Sequence, residues 1–320
     1  MRGFQRFHRH LGMDGQRASL RPVAVSFAVG LAIVGAKTSA AALTDSASML
    51  AEAMHSWVAL ASEGLLVTAY LKARRPADAS HPLGYGRDSY VWSMLAALAM
   101  LIVGAEVGIW RGIAQWRSGE TGGAYWVGYV VVGVAFVMEA TSFRQALHFV
   151  RATATRLERG LVEHVWKMSD AALRAVFVED FVALVTLVVA ALGMALHQLT
   201  GRVEWDAAGS MLIGVLMAAT GVVLINLNRQ LLAGVQVTPA QRAEILAAIK
   251  RAPGVTRVTF LFTEFIGPAR ILLAAHVGLA GAHDADEIGA ALRALEREFM
   301  THKYVGQAFV TLAAPDEHDL

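Results

Sequence analysis

The sequence predicts an α-helical polytopic membrane protein with six transmembrane helices and a small α+β domain at its C-terminal end. Three observations predict it. Apolar residues make up 56% of the 320-residue chain and charged residues 17%, with a mean hydropathy of +0.47, whereas soluble domains carry about 25% charged residues. Six stretches are long and apolar enough for a bilayer core about 30 Å thick, which a helix crosses in about 20 residues. From about residue 236 the texture changes to charged residues in helical rhythm and short β-branched runs. This much apolar surface excludes disorder. The absence of cysteine excludes a disulfide scaffold and a thiolate metal site.

The spans fall at about 22–43, 46–72, 89–115, 124–150, 171–197 and 207–228, the first two joined by a short link at Thr44-Asp45. Residues 1–21 form a basic segment, with Arg2, Arg6, Arg9, Arg17 and Arg21 against Asp14. The loop after the second span carries Lys72, Arg74, Arg75 and Arg87. The loop after the fourth carries Arg151, Arg156, Arg159 and Lys167, while the alternate turns are poor in bases. Lys and Arg stay on the cytoplasmic side, so both termini are expected in the cytoplasm. The polar, basic N-terminal stretch does not read as a cleavable signal peptide.

The tail, 229–320, follows the membrane domain 22–228. Thr238–Arg251 reads as a helix, Val255–Phe265 and Ala269–Leu279 as strands around a Gly267-Pro268 turn, Asp284–Met300 as an amphipathic helix and Gln307–Leu312 as a last strand. Two helices on one face of a three-stranded sheet make a small, ferredoxin-like layer. About 80 residues bury little surface alone, so the tail is expected to dimerise. The ten acids and eight bases of residues 236–320 exclude a nucleic-acid platform.

Charges inside a bilayer are expensive and mark function. The first span holds Lys37, expected to pair with an intramembrane acid. The second holds Glu52, His55 and Glu63, the third Glu106, the fourth Glu139 and the fifth Glu179 and Asp180. Four acids and a histidine in the second to fourth spans, with the fifth-span pair, suit a cation path. Carboxylate and imidazole are ligands for Zn²⁺, Fe²⁺ and Mn²⁺ and also carry protons. Glu52 and His55, three apart, share a helix face, whereas Glu179 and Asp180 diverge by about 100°. Trp110, Trp116, Trp126 and Trp205 read as an interfacial belt. No P-loop, dinucleotide fingerprint or HExxH motif is present, so the chain reads as a secondary transporter and not an enzyme.

The stretches DSASMLAEAMHS (45–56), RRPADASHPLGYGR (74–87) and AALRAVFVED (171–180) resemble the cation diffusion facilitators, in particular a divergent, zinc-transporter-nine-like branch. The resemblance covers about residues 20–315. It implies a proton-coupled efflux transporter for divalent metals, zinc first and iron or manganese next, working by alternating access as a homodimer. The metal is substrate and no cofactor is implied. The family's transport site takes a His or Asp, then an Asp four residues on, from the second and fifth spans. The matching residues here are His55 and then Ala59, and Glu179 and then Ala183. The implied ligands are therefore His55, Glu179 and Asp180, with Glu52 and Glu63 as a proton relay or entry step. The family's cytoplasmic-loop site matches Asp78 and His81, with Tyr85 where many members have His; ordinary turn chemistry explains the same residues. The lost carboxylates leave an alternative, a non-transporting scaffold or regulatory subunit of a heterodimer. The membrane expected is a bacterial inner membrane or an intracellular one derived from it.

Overall fold

The structure is a computed structural model that describes residues 20–119, 124–156, 159–281 and 284–320; the basic segment 1–21, apart from its last two residues, lies outside them. The chain divides into two compact units. One, 20–72 with 88–229, is helical. It contains α1 (Leu20–Thr44), α2 (Ala47–Ala73), α3 (Asp88–Ser118), α4 (Tyr125–Arg156), α5 (Leu161–Lys167), α6 (Ala171–Thr200) and α7 (Glu204–Ala233). Local chemistry sets the ends. Asp45 takes a left-handed turn, φ 52°, between α1 and α2, a conformation Asp tolerates through its short polar side chain. The Asp170 side chain accepts the Leu173 amide at 3.1 Å and caps α6.

By length and composition α3, α4, α6 and α7 can cross a membrane. Helices α1 and α2 are 25 and 27 residues long, and α2 is diluted by Ser48, Glu52, His55, Ser56 and Ser62. All five are buried, so α2 turns its polar residues toward protein. Trp110, Trp116, Trp126 and Trp205 are exposed, as an interfacial belt requires.

Helices α2 and α6 form the centre. Met49 and Ala53 of α2 pack with Leu187 and Met194 of α6 against Ala40 of α1 and Val132 of α4. On the other side Ala51 and Val58 meet Ala190, Met100 of α3, and Ile213 and Met217 of α7. Leu66, Ala97, Ala175 and Leu224 extend that contact. Met100–Gly104 forms a π-turn inside α3, which no sequence pattern signals.

Helices α3 and α7 cross with backbones touching. A Cβ on Gly108 would stand 2.7 Å from the Gly214 Cα, and Ser210 Oγ donates to the Gly108 carbonyl at 2.8 Å. Small residues allow such approach between membrane helices. Gly214→Leu is expected to force α3 and α7 apart. Fluorescence-detected size exclusion in detergent should show loss of the monodisperse peak, while an unchanged peak and melting temperature would count against this contact.

The second unit comprises 73–87 and 230–320 among the described residues. Its elements are α8 (Pro239–Ile249), β1 (Val255–Gly267), β2 (Arg270–Leu279), α9 (Ala285–Met300) and β3 (Val305–Leu312). The sheet order is β1-β2-β3, with β1 antiparallel to β2 and β2 parallel to β3. Thr238 and Gln241 form a capping box with Pro239 in the first turn of α8. Ile249, Leu295 and Phe299 pack with Val258, Leu273, Val277 and Val310 as one core. The 73–87 loop joins this unit through an ion pair between Arg87 and Glu264. Gly86 lies so close to the Ile266 carbonyl that no side chain fits there.

Candidate functional site

The buried charges of the helical unit lie around α2 and α6. Lys37, Glu52 and His55 are almost wholly inaccessible, at 0%, 0% and 1%. Lys37 Nζ donates to Glu52 Oε1 at 2.8 Å and to Ser56 Oγ at 2.6 Å, which is the intramembrane partner expected for it. Glu52 Oε2 has no hydrogen-bond partner among the described residues, and stands 3.8 Å from His55 Nδ1.

The hydrogen bonds assign the His55 tautomer. Nδ1 is 3.1 Å from Thr186 Oγ1, and that hydroxyl gives its single proton to the Ala183 carbonyl at 3.0 Å. The hydroxyl therefore accepts from Nδ1–H, and Nε2 carries the lone pair. Nε2 is buried and has no hydrogen-bond partner among the described residues. An imidazole held by one nitrogen with the other bare is how proteins orient a metal-binding histidine. Ala183, where the resemblance expects a carboxylate, contributes its carbonyl to this support.

Glu179 is buried, and both its oxygens accept from Ser62 Oγ, at 3.0 and 3.2 Å. Asp180 Oδ2 accepts from Ser142 Oγ of α4 at 2.8 Å. Asp180 lies within electrostatic reach of Glu63 and Glu139, and Glu139 within reach of Lys37, Glu52 and His55. Glu106 is exposed on α3.

The expected ligands do not share one point. His55 faces Thr186, while Glu179 faces Ser62, so the pairings are seven residues apart along each antiparallel helix. At about 1.5 Å per residue that is about 10 Å. Among the described residues no group of three or more His, Asp or Glu stands close enough to enclose a metal ion. His55 has Glu52 beside it; Glu179 and Asp180 lie about two turns away, on different sides of α6.

Asp78 and His81 are brought together, 3.9 Å apart, in the exposed loop of the other unit. Asp78 Oδ1 accepts from the Ser80 amide and hydroxyl and from the His81 amide, and Oδ2 from Tyr85 OH at 2.8 Å. Those bonds, Ser80 first and then Tyr85, hold its carboxyl well below the usual carboxylate range. His81 stacks on Tyr85 at 3.9 Å. The carboxylate organises a tight turn here, and Tyr85 serves as its donor.

Sequence reasoning missed the hydroxyl partners Thr186, Ser62 and Ser142. It also missed Asp206, a fully buried carboxylate at the start of α7. Asp206 accepts from Ser46 Oγ at 2.8 Å, the Ala47 amide at 2.9 Å, Ser48 Oγ, and Gln115 Nε2 at 3.1 Å. It thereby caps the positive end of α2 and ties it to α3 and α7. Two serines flanking the first residue of α2, with an acid just before the sixth span, was the available signal.

The profile of the cation efflux transmembrane domain matches residues 23–233. Metal tolerance protein C4 of Arabidopsis thaliana is 27% identical over 233 residues, covering 73% of this chain and 51% of that protein. The mitochondrial proton-coupled zinc antiporter SLC30A9 of Xenopus laevis is 26% identical over 238 residues, 74% of this chain and 43% of that protein. An uncharacterized transporter of Synechocystis, sll1263, is 36% identical over 89 residues, 28% of this chain and 29% of its own length. The chain thus spans about half the length of the first two.

Proposed function

Since this chain belongs to the cation efflux transmembrane family, and is an integral membrane protein of that transporter class, we propose that it exports a divalent metal ion, zinc first, in exchange for protons by alternating access. Two buried atoms without hydrogen-bond partners among the described residues, Glu52 Oε2 and His55 Nε2 on neighbouring side chains of α2, carry this reading. A carboxylate oxygen and a bare imidazole nitrogen, sheltered from water, call for a cation. Glu179 and Asp180 supply carboxylates at a second station, and relative motion of α2 and α6 brings metal from one to the other. Glu63 of α2 and Glu139 of α4 lie within electrostatic reach of Asp180 and suit a proton relay.

In this reading α1, α2, α3, α4, α6 and α7 are six transmembrane helices. Both chain ends are cytoplasmic, on the side of Lys72, Arg74, Arg75, Arg87, Arg151 and Lys167. The ferredoxin-like tail dimerises through the sheet face opposite its helices, where Phe260 and Phe309 are 43% and 48% exposed.

The test is zinc uptake into proteoliposomes carrying an internal pH dye. Zinc entry coupled to proton movement, and accelerated by an opposing pH gradient, is the expected result. Flux equal to that of protein-free vesicles for zinc, iron and manganese alike would overturn transport by this chain alone.

Thr186→Val tests the ligand assignment. It removes the acceptor that fixes the His55 tautomer while nearly keeping the shape. Loss of such support weakens metal binding by about 10- to 100-fold, to be read by zinc titration calorimetry in detergent at unchanged melting temperature. Unaltered affinity would separate Thr186 from the site.

A further inference from the structure

Lys37 is the largest buried cation of the α1–α2 contact, and the proposed transport mechanism above gives it no task. It comes from α1, yet both its partners, Glu52 and Ser56, are on α2. Its ammonium takes one oxygen of Glu52 and leaves the other unpartnered beside His55. Oε2 stands 3.8 Å from His55 Nδ1, not at the bare Nε2, but a divalent ion arriving at Glu52 would in any case share that carboxylate with the ammonium. In a buried site like charges that close repel strongly, and Glu52 is the carboxylate that the ammonium already holds.

We propose that Lys37 is a tethered counter-cation: it holds the Glu52 carboxylate between transport events and yields it to the arriving divalent ion. Three features of the geometry support this. The ammonium is anchored to α2 by two hydrogen bonds and not enclosed by a carboxylate cage, so it can withdraw along its flexible four-carbon stem. Ser56, one turn on from Glu52, offers a neutral partner for the ammonium when the carboxylate is taken. The displacement also couples α1 to α2, since both bonds of Lys37 cross that interface. Lys37 thus acts through Glu52 as a positioning residue that sets how tightly the site keeps its cargo.

The inference rests on the proposed metal transport, and zinc titration of the purified full chain in detergent tests both. Lys37→Gln keeps a donor for Glu52 and removes the charge. Zinc affinity is then expected to rise by about tenfold or more, while flux in proteoliposomes falls because release is slowed. A purely structural Lys37 would instead lower the melting temperature and leave affinity unchanged or weakened. Lys37→Arg gives the opposite sign, because a guanidinium spans both carboxylate oxygens, and zinc affinity should drop by about tenfold; this variant decides the matter if Lys37→Gln does not accumulate folded. Wild-type protein that binds zinc with the same affinity as the folded variants overturns this inference alone. Wild-type protein that binds no divalent metal overturns the transport reading and this inference with it.

Discussion

Replacing His55 with alanine is expected to reduce zinc-driven flux in proteoliposomes to that of protein-free vesicles. His55 supplies the one imidazole in the buried α1–α2–α6 cluster, and its Nε2 is the bare lone pair there. Without it Glu52 Oε2 is a single oxygen beside a competing ammonium. A lone carboxylate already balanced by Lys37 has little to offer zinc, which takes four ligands and binds imidazole readily. The side chain makes a single hydrogen bond, to Thr186, so the fold should suffer modestly, by about 1–3 kcal/mol. Thermal melting in detergent separates the two effects. Retained flux in a folded His55→Ala protein would remove His55 from the path.

Asp206→Ala is expected to have the largest effect on stability. Four donors converge on that carboxylate, and it is fully buried. Ser46 and Ser48, 3.2 Å apart, can turn to each other, but the Ala47 amide and Gln115 amide have no substitute. At about 1–3 kcal/mol for each orphaned donor, with the end of α2 losing its compensating charge, the cost is on the order of 4 kcal/mol. That is a large share of the about 5–15 kcal/mol that keeps a typical protein folded. Asp206→Asn, which keeps one acceptor oxygen, should fall between. Equal melting temperatures for wild type and Asp206→Ala would show that the carboxylate is dispensable.

Much of this was legible in the sequence. Apolar runs located the helices to within a few residues, since length and composition alone set them. The tail was readable because period-two strands and a Gly-Pro turn are local signals. Intramembrane charges stood out by rarity, and Lys37 could be matched to an acid. Relative depth was not readable. Spacing along one helix fixes a face, but the level at which His55 meets α6 depends on how two helices dock. That is why His55 and Glu179, expected at one ion, lie about two turns apart. Serine and threonine partners were hidden for a different reason: hydroxyls are common in membrane helices, and they gain meaning only once a second helix is beside them. Asp206 falls just outside the sixth span expected at 207–228, whereas α7 begins at Glu204.

The two kinds of buried acid differ in grip. Asp206 is clamped by four donors, whereas Glu179 and Asp180 each lean on one serine hydroxyl, and His55 on one threonine. A single hydrogen bond contributes about 0.5–1.5 kcal/mol net, and about 1.5–3 kcal/mol when one partner is charged. Letting go of one such partner therefore costs far less than prising Asp206 loose from four. The clamped one belongs to the frame, and the singly held groups are the ones that the proposed transport cycle can move.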